Sequence, residues 1–118
     1  MEKEAKIYVA GHRGMVGAAI IRELARQGYT NVVTRTHAEL DLTRQQTVED
    51  FFRTERPEYV FLAAAKVGGI EANRSALADF MYENMILEMN VIHSAWQNGC
   101  RKLLFLGSSC TPVWPLSQ

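Results

Sequence analysis

Three glycines, Gly11, Gly14 and Gly17, have the spacing GxxGxxG, a pattern that binds phosphate groups when it joins a strand to a helix. The seven residues of this glycine loop are Gly11, His12, Arg13, Gly14, Met15, Val16 and Gly17. The first glycine permits a tight turn, the second lets the backbone approach a pyrophosphate, and the third lets the helix pack closely on the strand. The positive end of the helix dipole then faces the phosphates. We therefore predict a dinucleotide site; the alternative is a turn that binds nothing.

The residue types that follow the second predicted strand indicate which dinucleotide binds. NAD enzymes usually place Asp or Glu about 20 residues beyond the loop, where it binds the ribose hydroxyls. This sequence has Thr34-Arg35-Thr36-His37 in that neighbourhood, and together with Arg13 these cations favour a 2′-phosphate. We predict NADP(H), and the alternative for Arg35 is a solvated surface residue. Asp41 is placed either to contact the adenine edge or to form a solvated turn.

These residues need strands and helices that bring them together. Apolar runs rich in β-forming residues predict strands at residues 7–10, 32–34, 59–63 and 103–106, and all but the second are predicted to be buried. Apolar spacing predicts helices at residues 15–27, 44–54 and 75–99. Strands that alternate with helices indicate a parallel sheet with right-handed crossovers. The predicted fold class is α/β, a Rossmann-type doubly wound parallel sheet that is truncated after the fourth strand.

Charge and composition exclude several classes of partner. The 118 residues carry 13 basic and 13 acidic side chains, so no net charge favours nucleic acid or an anionic membrane. No apolar run approaches the roughly 20 residues of a membrane span, and the charged N-terminus has no following signal-type apolar core. Cys100 and Cys110 have neither disulfide nor zinc spacing, so we expect no metal and regard Cys100 as a structural thiol. The resulting expectation is a cytoplasmic protein.

Five segments of the sequence resemble the GDP-L-fucose synthase family, namely residues 10–17, 35–42, 62–70, 78–80 and 102–110. Members of this family are extended short-chain dehydrogenase/reductases that epimerise and then reduce GDP-4-keto-6-deoxy-D-mannose. The resemblance implies an NADP(H) cofactor, a nucleotide-sugar substrate and, for full-length members, a homodimer. The cofactor site would consist of the glycine loop together with Arg35, His37, Asp41, Leu42, Ala63, Ala64, Ala65, Leu106, Gly107 and Ser109.

The same resemblance implies two catalytic residues after the fourth strand. Ser108 matches the active-site serine of the family, whose hydroxyl would hydrogen-bond the 4-keto oxygen as charge develops there. Cys110 matches the cysteine used in epimerisation, where a thiolate would remove a proton α to the ketone and a thiol would return one. Taken without the resemblance, both residues are typical of a strand end that is rich in small residues.

The match to the family ends at residue 110. Members continue with Ile-Tyr-Pro and later present a Tyr-x-x-x-Lys pair, whereas no tyrosine of this sequence has a lysine four positions later. Without that pair, hydride transfer would lack its proton donor. We therefore expect an NADP-binding part at residues 1–110, an aberrant unstructured tail at residues 111–118 and no substrate domain, as a frameshifted or truncated gene would give. The alternatives are an NADP(H)-binding module, a non-functional product, or another nucleotide-sugar epimerase or dehydratase.

Overall fold

Four strands and three helices alternate along the chain. A computed structural model describes residues 1–64 and 74–106. In chain order the elements are β1 (Ile7–Ala10), α1 (Met15–Arg26), β2 (Val32–Val33), α2 (Gln45–Glu55), β3 (Tyr59–Leu62), α3 (Arg74–Gln97) and β4 (Lys102–Phe105). All seven predicted elements are present, and their boundaries differ from the predicted ones by at most two residues. The tail predicted at residues 111–118 lies outside the described residues.

The four strands run parallel in the order β2-β1-β3-β4. Ile7 of β1 lies opposite Val32 of β2 on one side and opposite Tyr59 of β3 on the other. The chain therefore leaves β1 toward one edge through α1, and α2 carries it back to the other side of β1. Such a reversal opens a crevice beyond the carboxyl ends of β1 and β3, which is where open α/β sheets bind ligands.

Helices cover both faces of the sheet. On one face α2 and α3 pack on β1 and β3, in a core that includes Tyr8 and Val91. On the other face Leu24 of α1 packs on Ile7 and Val9. The whole of β1 is buried as predicted, because it lies between two strands and two helical layers. The predicted α/β class with a doubly wound parallel sheet is confirmed.

The prediction that β4 is buried is wrong. Three of its residues, Lys102, Leu104 and Phe105, are exposed, and Leu103 packs against the core. Within the described residues β4 pairs with β3 alone, so it lacks the second neighbouring strand that helps to bury β1. Burial of a strand depends on what covers it, which its own apolar residues do not specify.

α3 has apolar side chains on two faces. Apolar spacing predicts that Phe80, Leu87, Val91 and Ala95 point inward; the last three are buried in the core, whereas Phe80 is half-buried. A second set of apolar side chains is 42% to 74% exposed, and its members are Leu77, Met81, Met85, Met89, Ile92 and Trp96. None of the helices in residues 1–64 and 74–106 combines the length and the apolarity that a bilayer crossing requires.

Candidate functional site

A cleft of about 480 Å³ lies where the loops after β1, β2 and β3 converge. The sheet order brings these loops together, because β1 lies between β2 and β3 and all three strands point the same way. Nine of the predicted cofactor-binding residues line this cleft, and they are Gly11, His12, Arg13, Gly14, Arg35, His37, Asp41, Leu42 and Ala64.

The glycine loop fits closely against the backbone that follows β3. Gly11 has φ +84°, and a Cβ atom added to it would lie 2.6 Å from the carbonyl oxygen of Ala63 and 2.7 Å from Cα of Ala64. A Cβ atom on Gly17 would overlap the carbonyl oxygen of Gly11. Glycine avoids these clashes and also tolerates the left-handed conformation of Gly11. The loop can therefore approach β3 and turn directly into α1.

The first turn of α1 offers backbone donors to a ligand. Gly14 is the N-cap residue, and no side chain caps this end of the helix. The Gly14 N–H donates to the Gly11 carbonyl at 3.1 Å, which closes the turn, and the first turn of α1 contains no acidic residue. Uncapped N–H groups and the positive end of the helix dipole favour an anion. The backbone of the loop thus fits the pyrophosphate of a dinucleotide.

Arg35 occupies the part of the cleft that follows β2, which we call the β2 end (residues 34–43). Its Nη2 donates to Oε2 of Glu55 at 3.1 Å, and its Nη1 donates to the Thr34 carbonyl at 2.8 Å. Its guanidinium carbon lies 5.3 Å from the centre of the Phe51 ring. Glu55 is shared, because its Oε1 also accepts a hydrogen bond from Lys6 at 3.0 Å. Arg35 is therefore held at the wall of the cleft, with 33% of its side chain exposed.

Two carboxylates at the β2 end hold turns together. Glu39 accepts a hydrogen bond from the Thr36 N–H at 2.7 Å, and this bond, aided by nearby arginine charges, lowers the pKa of Glu39. Oδ1 of Asp41 accepts hydrogen bonds from the Thr43 hydroxyl at 2.7 Å and from the Thr43 N–H at 3.0 Å. The hydroxyl bond is the main reason that the pKa of Asp41 is lowered. Asp41 thus forms a turn, and its contact with adenine stays a prediction.

The other predicted site residues do not line the cleft or lie outside the described part of the chain. Met15 and Val16 are exposed at the start of α1, whereas Gly17 is buried against Gly11. Ala63 lies beside Gly11, and the Leu106 N–H extends the pairing of β4 with β3. The predicted residues outside the described ones are Ala65, Gly107, Ser108, Ser109 and Cys110.

Five residues that are absent from the predicted cofactor site also line the cleft, namely Tyr8, Thr36, Leu40, Thr43 and Leu87. Three of them lie in the segment that also contains Arg35 and Asp41, so their position in the sequence could have indicated them. Tyr8 and Leu87 come from β1 and α3, and only the packing of these elements brings them to the cleft. Within the described residues, no group of three His, Cys, Asp or Glu side chains could hold a metal ion.

Comparison with known proteins identifies the family. The model of the NAD dependent epimerase/dehydratase family matches residues 7–113. The chain belongs to this family. The match includes the glycine loop and all four strands, so the cleft lies within the part that the family shares.

Relatives within the family are similar to this chain over a limited part of their length. GDP-L-fucose synthase 1 of Arabidopsis thaliana is 64% identical over 92% of this chain and 34% of its own length. GDP-L-fucose synthase of Escherichia coli (strain K12) is 56% identical over 89% of this chain and 33% of its own length. The chain thus spans about a third of the length of these curated relatives. Among solved structures, the GDP-mannoheptose C4 reductase MlghC of Campylobacter jejuni with NADP bound is 47% identical, with a TM-score of 0.86 over 91% of this chain and 34% of its own.

Proposed function

We propose that the cleft binds NADP(H). The observation that carries this proposal is that two features line the same cleft. One is a glycine loop without room for a Cβ atom at Gly11 or Gly17. The other is a group of possible cations, Arg13 from the loop and Arg35 and His37 from the β2 end. The loop would hold the pyrophosphate through backbone N–H groups. The cations would hold the 2′-phosphate, where an NAD enzyme would place a carboxylate for the ribose hydroxyls. The NADP bound in the solved structure of the Campylobacter jejuni reductase supports the same cofactor.

We propose further that the chain is part of a nucleotide-sugar epimerase and reductase of the GDP-L-fucose synthase type. Curated relatives with 56% and 64% identity carry this name. Bound NADPH would supply a hydride to the keto carbon of a GDP-linked 4-keto sugar. Ser108 would hydrogen-bond the keto oxygen and Cys110 would exchange a proton α to it, as the resemblance implies. Another nucleotide-sugar epimerase or dehydratase of the same family remains the alternative within the enzyme class.

The second candidate function is a module that binds NADP(H) without completing the reaction. The observation that favours it is that all residues lining the cleft lie between Tyr8 and Leu87, so the contacts of a bound cofactor rest on this part of the chain alone. We propose that residues 1–110 form the cofactor-binding part and that residues 111–118 form a separate tail. Cofactor binding and catalysis can therefore be tested separately.

We propose a homodimer, which the resemblance implies for full-length members, and a cytoplasmic compartment. The support for a homodimer is the exposed apolar face of α3 described above, which has six side chains at spacings of three or four residues. Such a stripe is wider than the isolated apolar residues of ordinary protein surfaces. Burying it against the same stripe of a second copy would remove it from water, and sedimentation of the purified chain would detect the dimer.

Thermal melting of the purified chain with millimolar NADPH or NADH tests the cofactor proposal. At a ligand concentration of about 100 times its Kd, NADPH should raise the melting temperature by about 10 °C and NADH should raise it much less. Arg35→Met keeps a side chain of similar length but removes the cation, so we expect the difference between the cofactors to disappear. The matched control is Arg53→Met, which removes an exposed cation that pairs with Asp50 on α2. Equal shifts with both cofactors in the unmodified chain would contradict the proposal.

A further inference from the structure

The β2 end is joined to a different helix near each of its two limits. Near its start, Arg35 donates to Glu55 of α2, as described above. Near its finish, the Leu42 carbonyl accepts a hydrogen bond at 2.9 Å from Nδ2 of Asn90, which lies on α3. Leu42 and Asn90 are 48 positions apart in the sequence, so this bond forms only when α3 has packed on the sheet. The place of the second limit therefore depends on α3.

Asn90 lies behind the wall of the cleft. Its half-buried side chain lines a groove between α2 and α3, together with Gln45 and Glu49 of α2. Leu87 lies about one turn earlier on the same face of α3, and it is buried and lines the cleft itself. Leu42, which Asn90 holds, also lines the cleft. Asn90 would therefore act on a bound molecule through the backbone that it holds.

The peptide group between Leu42 and Thr43 is held on both sides. Its carbonyl accepts from Asn90, and its N–H, which belongs to Thr43, donates to Oδ1 of Asp41 at 3.0 Å. A trans peptide is planar, so its C=O and N–H point in opposite directions, and the described residues contain no cis peptide bond. The two hydrogen bonds therefore fix the orientation of this peptide plane at the wall of the cleft.

Other hydrogen bonds of this turn are local. The Thr43 hydroxyl donates to Asp41 Oδ1 at 2.7 Å, and the Arg44 N–H donates to the Asp41 carbonyl at 3.0 Å. Bonds between residues so close in the sequence set the shape of a turn but not its place in the molecule. Leu40 is buried in the core, which anchors a side chain and leaves the direction of the following backbone open. The bond from Asn90 fixes that direction.

A bound NADP(H) would place its adenosine against this turn. Its pyrophosphate is proposed to lie on the glycine loop and its 2′-phosphate at Arg35, and the adenosine is the part of the cofactor that joins these two groups. The same cleft is lined by Asp41, Leu42 and Thr43, the residues of the turn. A displaced turn would therefore change the space for the adenosine and leave the glycine loop as it is.

We propose that Asn90 is a positioning residue for the adenosine of bound NADP(H), and that it acts through the Leu42–Thr43 peptide. This inference rests on the proposed function, because it requires NADP(H) in the cleft. NADPH and NADH share the adenosine, so Asn90 should affect both cofactors alike. Arg35 differs in this respect, because it would contact the 2′-phosphate that only NADPH carries.

Asn90→Ala tests this proposal, because it removes the amide donor and introduces a residue that favours a helix. Isothermal titration below the melting temperature of the variant should give Kd values for NADPH and NADH that are each about tenfold higher than those of the unmodified chain, as loss of one hydrogen bond would cause. Adenosine 2′,5′-bisphosphate, which lacks the nicotinamide half, should lose affinity by the same factor as NADPH. Asn90→Gln keeps the amide donor beside a groove of about 500 Å³, so it should bring these Kd values back to within about threefold of the unmodified ones.

Asn98→Ala is the matched control. Nδ2 of Asn98 also donates to a backbone carbonyl at 2.9 Å, that of Ser94 in α3, and this bond is likewise partly buried. The variant should lose stability as Asn90→Ala does but keep all three Kd values within about twofold. An NMR titration of the unmodified chain adds a measurement that needs no substitution. Saturating bisphosphate should shift the side-chain amide resonances of Asn90 and leave those of Asn98 unchanged.

Each other outcome has a definite meaning. An unchanged affinity for the bisphosphate in Asn90→Ala, in a chain that prefers NADPH, would overturn this inference and leave the proposed function intact, since Asn90 would then only tether the turn to α3. Unshifted Asn90 resonances would overturn it as well, even if Asn90→Ala did not fold. Weaker binding of NADPH alone would also overturn it, because the bond would then act on the 2′-phosphate. A chain that binds NADPH no better than NADH would instead contradict the proposed function.

Discussion

The glycine loop and the β2 end line the same cleft but are built in different ways. At Gly11 and Gly17 the loop has no room for even a Cβ atom, because backbone lies against backbone. At the β2 end the functional groups are side chains, and two of them are held by other side chains, as Glu55 holds Arg35 and Thr43 holds Asp41. The loop supplies shape, and the β2 end supplies charge.

This difference teaches which property of the site each region controls. A pyrophosphate bound by backbone N–H groups needs a fixed approach distance, so the loop should tolerate almost no substitution at its close contacts. A 2′-phosphate bound by side chains needs charge and orientation, which can be altered while the fold persists. We therefore expect substitutions in the loop to affect every dinucleotide, and substitutions at the β2 end to affect the choice between dinucleotides.

The largest expected effect comes from one added methyl group in the loop. In Gly17→Ala the new Cβ atom would overlap the Gly11 carbonyl oxygen, and neither group can move without displacing β1 or α1. We expect a loss of several kcal/mol of stability, which is on the order of the cost of severe overpacking, and no measurable binding of NADPH or NADH. Thermal melting and titration with both cofactors measure these effects.

Gly14→Ala is the matched control for this substitution. A Cβ atom on Gly14 would lie 3.5 Å from the Gly11 carbonyl oxygen, an ordinary contact distance, and Gly14 has φ −74°, which alanine adopts readily. This variant should melt close to the unmodified chain. If Gly17→Ala also melts normally and binds both cofactors, the loop is not as closely packed as the comparison requires.

The contrast between the two regions also explains what the sequence could predict. GxxGxxG after an apolar run specifies close backbone contacts within 7 residues, so the loop could be predicted from local sequence. Arg35 could be predicted in the same way, from its position after β2. Glu55 and Tyr8 could not, because α2 and β1 bring them to Arg35 only after the sheet order is set. The exposure of β4 could not be predicted either, since it depends on the neighbours of that strand.

We expect an effect of intermediate size from acid, because acid protonates Glu55, the carboxylate that holds Arg35 of the β2 end. The hydrogen bond from Lys6, together with the charges of Lys6 and Arg35, holds the pKa of Glu55 below its ordinary 4.5. A carboxylate with a lowered pKa stabilises the folded state above its ordinary pKa, and this stabilisation is lost as the pH falls through the lower folded-state value. Glu55→Gln should therefore melt below the unmodified chain at pH 7, and the two melting temperatures should converge as the pH falls below the ordinary glutamate pKa of 4.5.

The control for this pH series is Glu49→Gln on the same helix. Glu49 accepts a hydrogen bond from Gln45 at 2.9 Å, so its variant removes the same charge from α2 but keeps the acceptor of Lys6 and Arg35, and it should not reproduce the effect of Glu55→Gln. A constant difference between Glu55→Gln and the unmodified chain at every pH would mean that Glu55 acts through packing and not through its charge. The β2 end would then resemble the glycine loop more closely than we expect.

The smallest expected effect comes from one hydroxyl at the β2 end. Thr43→Val keeps the shape of the side chain but removes the 2.7 Å hydrogen bond to Asp41 Oδ1, while the 3.0 Å bond from the Thr43 N–H remains. We expect a loss of about 1 kcal/mol and a melting temperature lower by roughly 4–8 °C, with the preference for NADPH retained. Thr47→Val, on the exposed side of α2, should change neither property. If Thr43→Val instead abolished binding of both cofactors, as Gly17→Ala should, the turn at Asp41 would be as intolerant as the backbone contacts of the loop, and the division between shape and charge would fail.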